Sequence, residues 1–165
     1  MIGAYIHVPF CRTLCPYCDF FSVDIAGSVP SAYVEALIQE IRSFPKTRGL
    51  LSIFFGGGTP SLIDESGLAA IMDALRNKFR VPAECEITVE ANPDDVTAEL
   101  VETWKRAGIN RVSLGVQGFN DETLRYLGRR HDAAAAAVAC RLVGESFGNW
   151  EIRRTSSPRP LSSAS

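Results

Sequence analysis

The sequence lacks any run of eighteen or more apolar residues, so no segment reads as a membrane-spanning helix. It also lacks a charge imbalance. Seventeen Lys and Arg against nineteen Asp and Glu give a formal net charge of -2, which is no electrostatic footprint for nucleic acid and leaves a small molecule as the expected ligand. The N-terminus shows no basic stretch followed by an apolar core and a small-residue cleavage site, giving the expectation of a cytoplasmic protein with reduced thiols. Neither glycine-rich phosphate-binding pattern is present: "GGGTP" is not followed by Lys-Ser/Thr, and it does not have the G-x-G-x-x-G spacing. Cysteine is scarce, at five residues, but three of them crowd into "FCRTLCPYCDF" with Asp19 where a fourth might stand.

What is there is an ordinary globular composition, 165 residues with 46% hydrophobic and 22% charged. Residues 4–8 read as a strand, and residues 30–44 as a helix that Pro30 opens. A short apolar run at 50–55 predicts a buried strand. Asp64 can cap a helix whose Leu68, Ile71, Met72, Leu75 and Phe79 form a stripe needing a sheet beneath it. A third strand at 86–91 leads to a helix from about Thr97 that Gly108 can close in the left-handed conformation. A fourth strand at 111–116 precedes a short helix capped by Asn120 and ended near Gly128, and the alanine run from Ala133 continues a further helix. Strand and helix alternate four times, which predicts an α/β fold with a parallel sheet. Periodicity alone does not separate an open Rossmann-like sheet from a barrel. The final "TSSPRPLSSAS" is rich in Ser and Pro and predicts a disordered tail, with Arg153, Arg154 and Arg159 as solvated charges.

The chemistry-bearing residues follow the carboxyl ends of predicted strands: the cysteines after the first, "GGGTP" after the second, "EANP" after the third, Gln117 after the fourth. Parallel α/β folds assemble their sites at that edge. The spacing C-x3-C-x2-C leaves three options open. Three thiolates with a fourth ligand such as His7 would suit structural zinc; a disulfide suits a reducing compartment poorly; a [4Fe-4S] cluster on three cysteines would leave one iron without a protein ligand. Cys85 and Cys140 stand alone and read as small hydrophobes. Three glycines at a strand end permit a tight turn or a close backbone approach. Glu90 lies between apolar neighbours, so it needs either a structural partner or a cationic or hydroxyl-bearing ligand. Tyr5 and His7 alternate with Ala4, Ile6 and Val8 and so face the same side of their strand. Gln117 and Arg129 say little individually.

Together, "YIHVPFCRTLCPYCDF", "FFGGGTPSLI", "EANPDDVT" and "RVSLGVQGFNDETLRYLGRRHDA" resemble the radical S-adenosylmethionine (SAM) enzymes of the oxygen-independent coproporphyrinogen III oxidase group, over about residues 2–143. Phe20 stands where the oxidases carry another cysteine, so the resemblance favours the HemW branch of heme chaperones. It implies that Cys11, Cys15 and Cys18 hold three irons of a [4Fe-4S] cluster while SAM chelates the fourth, the missing ligand thus being the substrate. One electron then cleaves SAM to methionine and a 5'-deoxyadenosyl radical. The SAM contacts it implies are Tyr5, Tyr17, Gly57, Gly58, Thr59, Glu90, Gln117 and Arg129; Gly118 replaces the usual serine after Gln117. The implied partners are SAM, a porphyrinogen or heme, and an electron donor such as flavodoxin or ferredoxin, with the role lying in porphyrin biosynthesis or heme delivery.

The resemblance also implies a C-terminally shortened member of an oxidoreductase-like family. About four βα units of a partial TIM-type barrel are expected over residues 1–144, against roughly 250 residues for a complete eightfold barrel. Residues 145–165 are expected to form a divergent, disordered tail. On that reading the fourth strand exposes an unpaired apolar edge unless another chain or the tail covers it, the isolated chain is marginally stable, and a remnant that binds cluster or heme without turnover competes with the enzyme.

Overall fold

The computed structural model describes residues 2–45 and 49–154. Its principal strands are β1 (Ile2–Val8), β4 (Leu50–Gly57), β5 (Glu86–Ala91), β6 (Arg111–Leu114) and β7 (Trp150–Ile152); two short strands, β2 (Phe10–Cys11) and β3 (Val23–Asp24), lie in the first loop. Helices α1 (Ser31–Ser43), α2 (Glu65–Lys78), α3 (Ala98–Ala107), α4 (Asp121–Tyr126) and α5 (Ala133–Ser146) fill the crossovers. The principal sheet runs β1-β4-β5-β6-β7, every pair parallel. Strand order therefore follows chain order without the reversal of a doubly wound sheet, which is the arrangement of a partial barrel.

The helix starts follow the local chemistry read from the sequence. Asp64 accepts from the Gly67 N–H at 2.7 Å, Thr97 from Leu100 at 3.1 Å, and Asn120 from Thr123 at 2.9 Å, each satisfying a free amide of a first turn. Gly108 closes α3 at φ 90°. Asp132, which the sequence pattern did not single out, caps α5 through the Ala135 N–H at 2.7 Å.

Alternation decides the faces of the sheet. Ile6, Val8, Ile53, Phe55, Ile87, Val89, Val112 and Leu114 are buried and join the core that also contains Leu68, Ile71, Met72, Leu75, Val101, Trp104 and Val143. Their neighbours Tyr5, His7, Phe54, Thr88, Glu90, Arg111, Ser113 and Glu151 occupy the opposite face in register. That face is polar. Arg111 sits at its centre, donating to Glu151 at 2.7 Å, lying 3.9 Å from Glu86, and reaching Thr88 at 3.5 Å.

The boundary expected at residue 144 is corrected by the structure. Helix α5 runs on to Ser146, Phe147 packs near Trp104 with ring centroids 6.5 Å apart, and Trp150–Ile152 pairs with β6 as a fifth strand. The β6 edge is thus covered by β7. Three strand residues are too few to show a period. Their placement is tertiary: the Trp150 indole lies against Gly144, and Glu151 accepts from Ser113 at 3.0 Å. The expected tail at residues 155–165, with Arg159, lies outside the described residues.

Candidate functional site

The cysteine loop is closed at its base before it reaches the cavity. β2 and β3 pair Phe10 with Val23 and Cys11 with Asp24, the Val23 N–H donates to Pro9 O at 2.7 Å, and Ile25 donates to Cys11 O at 2.9 Å. A tight turn donates the Cys18 N–H to Cys15 O at 3.0 Å. The loop can therefore present three thiols from a fixed root.

Under that root passes the glycine run. A Cβ on Gly58 would lie 2.6 Å from Phe10 O and 3.0 Å from Cys11 Sγ, so only glycine lets the end of β4 approach the loop this closely. Gly57 has φ 113°, and a Cβ there would lie 2.7 Å from His7 Nδ1. Both turn geometry and close approach are therefore required, and the two readings of "GGGTP" are one.

A hydrogen-bonded chain then ties four loops together. Thr59 Oγ1 donates to Cys11 Sγ at 3.4 Å, and Asn92 Nδ2 donates to Thr59 Oγ1 at 3.3 Å. Arg129 Nη2 donates to Asn92 Oδ1 at 2.6 Å and to Gly115 O at 2.9 Å. Its Nη1 donates to Cys15 Sγ at 3.4 Å and to the Tyr17 hydroxyl at 3.3 Å. Two of the three sulfurs thus face an N–H or O–H donor, the environment a thiolate prefers. Arg129 Nε is buried without a partner among the described residues. Burial pushes the Tyr17 phenol up to about 12, against the opposing pull of Arg129, so this hydroxyl keeps its proton.

These groups enclose a cavity of about 450 Å³ at the carboxyl edge of the sheet, lined by Cys11, Cys15, Cys18, Tyr17, Gly57, Gly58, Thr59, Glu90, Gln117 and Arg129 among others. Tyr5 is not in its wall. It is exposed on the open face, stacked on Phe54 with centroids 6.0 Å apart, its hydroxyl 3.4 Å from His7 Nδ1. His7 faces Tyr5 and Gly57 rather than the thiols, and among the described residues no three His, Cys, Asp or Glu side chains gather to hold a single metal ion. Gln117 adopts φ 66°, the left-handed region, the one non-glycine residue to do so among those described. Such strain, of order 1–3 kcal/mol, is held by surrounding structure and clusters at functional sites.

Sequence reasoning missed the paired charges around the cavity. Asp95 pairs with Arg12 at 3.2 Å and accepts from Ser61 at 2.9 Å; burial, aided by the charge of Asp94, raises its carboxyl above the ordinary value. Burial also works to raise Asp94, but the buried His131 ring 3.8 Å away and the charge of Arg130 outweigh it and hold that carboxyl below the ordinary value. His131 Nε2 lies 3.0 Å from Val116 O, bracing the residue before Gln117. Arg153, expected as a solvated charge, pairs instead with Glu90. The one available signal was Glu90 itself, since a shielded carboxylate among apolar neighbours requires a cation. Cys85 is buried and Cys140 half-buried; burial raises both thiols, and neither reaches the cavity.

A parallel partial barrel with a three-cysteine loop at its carboxyl edge is the architecture of radical SAM proteins. The pattern defining the Radical SAM superfamily matches residues 5–152, and the chain belongs to that superfamily. It is similar to the heme chaperone HemW of Escherichia coli, 41% identical over 146 residues that cover 86% of this chain and 39% of that protein. HemW of Bacillus subtilis is 44% identical over 135 residues, covering 79% and 36%. Among solved structures, coproporphyrinogen III oxidase (HemN) of Escherichia coli superposes with a TM-score of 0.84 at 29% identity, covering 92% of this chain and 36% of that one. The chain spans a little over a third of the length of these relatives.

Proposed function

We propose that this chain forms the cluster and SAM site of a radical SAM protein of the coproporphyrinogen oxidase-like, heme chaperone group, acting in the cytoplasm in porphyrin biosynthesis or heme delivery. The observation that carries the proposal is the single cavity into which Cys11, Cys15 and Cys18 open together with Gly57, Gly58, Thr59, Glu90, Gln117 and Arg129.

The donor set suits a [4Fe-4S] cluster: three thiols from one rooted loop, with Thr59 and Arg129 donating to two of the sulfurs. Cys11, Cys15 and Cys18 would hold it, and with SAM bound it supplies one-electron reductive cleavage of the sulfonium bond. The protein's own part is positioning. Gly57 and Gly58 present backbone at close range, Glu90 offers a carboxylate to the ligand's amino group, and Gln117 brings an amide from a strained backbone. Arg129 Nε is a buried donor without a partner among the described residues, and Tyr17 stays a neutral hydroxyl beside Cys15. Tyr5 belongs to the proposal as a rim residue, on the same sheet face as Glu90. A porphyrinogen or heme as ligand, and a flavodoxin- or ferredoxin-type electron donor, rest on the likeness to HemW and HemN.

Anaerobic reconstitution with iron and sulfide, followed by electron paramagnetic resonance of the reduced protein, tests the reading. The expected result is a [4Fe-4S] signal that changes on adding SAM and is abolished in Cys11→Ala. A cluster indifferent to SAM would reduce the site to cofactor binding without turnover.

A further inference from the structure

One member of an ion pair in the cavity, Arg153, has no part in the chemistry proposed above. The Glu90 side chain, 15% exposed near the end of β5, is met by the Arg153 guanidinium. Backbone geometry puts that residue there: the Arg153 N–H donates to Leu114 O at 2.7 Å and its carbonyl accepts from the Gln117 N–H at 3.0 Å. Its side chain is 47% exposed and has no second partner among the described residues. The other acids paired around the cavity differ from Glu90 in having a second partner each. Asp95 is shared by Arg12 and Ser61, and Asp94 pairs with Arg130 and has the His131 ring 3.8 Å away.

We propose that Arg153 is an internal competitor for the cation-binding carboxylate of this site, so that a ligand's ammonium group reaches Glu90 only by displacing the Arg153 guanidinium. The proposal rests on Glu90 as the partner of the amino group of SAM. A shielded carboxylate needs a counter-charge before the ligand arrives, and Arg153 supplies it. Two cations at one carboxylate repel, so they exchange rather than coexist. Arg153 is suited to exchange because its half-exposed head group returns to water when displaced, without a burial penalty. It thereby lowers the affinity for ammonium-bearing ligands and leaves ligands without that group untouched.

The test is equilibrium dialysis of radiolabelled SAM against the full chain, reconstituted anaerobically with iron and sulfide, for wild type, Arg153→Ala, Arg153→Lys, Glu90→Gln and the Arg153→Ala/Glu90→Gln double variant. Arg153→Ala is expected to tighten binding about three- to tenfold, as displacing a half-exposed ion pair implies. Arg153→Lys should stay near wild type, Glu90→Gln should weaken binding, and Arg153→Ala should have no effect in the Glu90→Gln background. Unchanged or weaker binding in Arg153→Ala, with Glu90→Gln still weakened, overturns the competitor and leaves the site intact. An equal gain for 5'-methylthioadenosine, which lacks the amino group, overturns it as well. If Glu90→Gln changes nothing in either background, the role of Glu90 fails and the proposal falls with it.

Discussion

The two faces of the principal sheet are made by alternate residues of the same strands, yet they do opposite things. Toward the helices, Ile6, Phe55, Val89 and Leu114 are almost completely buried and fill the core. On the opposite face Tyr5, Phe54, Glu90, Arg111 and Glu151 form a polar surface that leads up to the cavity. A one-residue step thus separates stability from chemistry, because successive Cβ atoms of a strand point to opposite sides. The comparison teaches that substitutions on the first face should cost more stability than those on the second, whose effects at the cavity end are read by binding.

The largest expected effect breaks the comparison from the buried side. Phe55→Ala should cost about 3–5 kcal/mol by removing a fully buried ring, enough to abolish a cooperative thermal melt at ordinary temperatures. Its neighbour across the sheet plane, Phe54, should show a much smaller loss when truncated. A comparable loss at both positions would mean the open face is packed rather than exposed.

Gly58→Ala should come next, and should act on the site more than on the core. The new Cβ would collide with Phe10 O and crowd Cys11 Sγ, displacing the root of the cysteine loop. Iron and sulfide uptake should fall severalfold while the far-ultraviolet circular dichroism stays near wild type.

Arg111→Met should be smaller, roughly 1 kcal/mol, since the pair with Glu151 is partly exposed and screened by solvent. The loss should shrink in high salt, which a packing defect would not do.

The smallest effect is a pH dependence. Asp94 is held below its ordinary value, so its contribution to stability is present above the unfolded-state pKa of about 3.9 and is lost as pH falls through its native value. Asp95 is raised, so its sign is reversed: it costs stability as pH rises from the unfolded-state value through its native one. Asp94→Asn should flatten the acid limb of a stability profile below about pH 4, and Asp95→Asn should raise stability slightly near neutrality. Denaturant titrations across that range check both; matching slopes in the two variants would contradict the assignment.

How much was legible depended on how local the signal was. The caps at Asp64 and Asn120, the helix start near Thr97, the left-handed Gly108, and the strand Glu86–Ala91 are written in short stretches, and the structure repeats them. The cysteine loop was legible because its three thiols fall within one turn-rich segment. Trp150–Ile152 was not, since it is a strand only by virtue of β6 beside it and Gly144 beneath its indole. The strained Gln117 gave no signal: its φ of 66° accompanies a backbone hydrogen bond from its N–H to Arg153 O, a partner 36 residues away.

By itself the sequence determined the periodicities that make a parallel α/β fold, the spacing of Cys11, Cys15 and Cys18, and the glycines that must pass beneath them. These are decided by sterics and by residues a few positions apart. Only the tertiary structure decided which carboxylate meets which cation: that Arg153 rather than solvent faces Glu90, that His131 braces the backbone before Gln117, and that Arg129 joins Cys15 to Asn92. Such pairs bring together residues far apart in the chain, and their partners are fixed by strand register and loop closure, which no local pattern encodes.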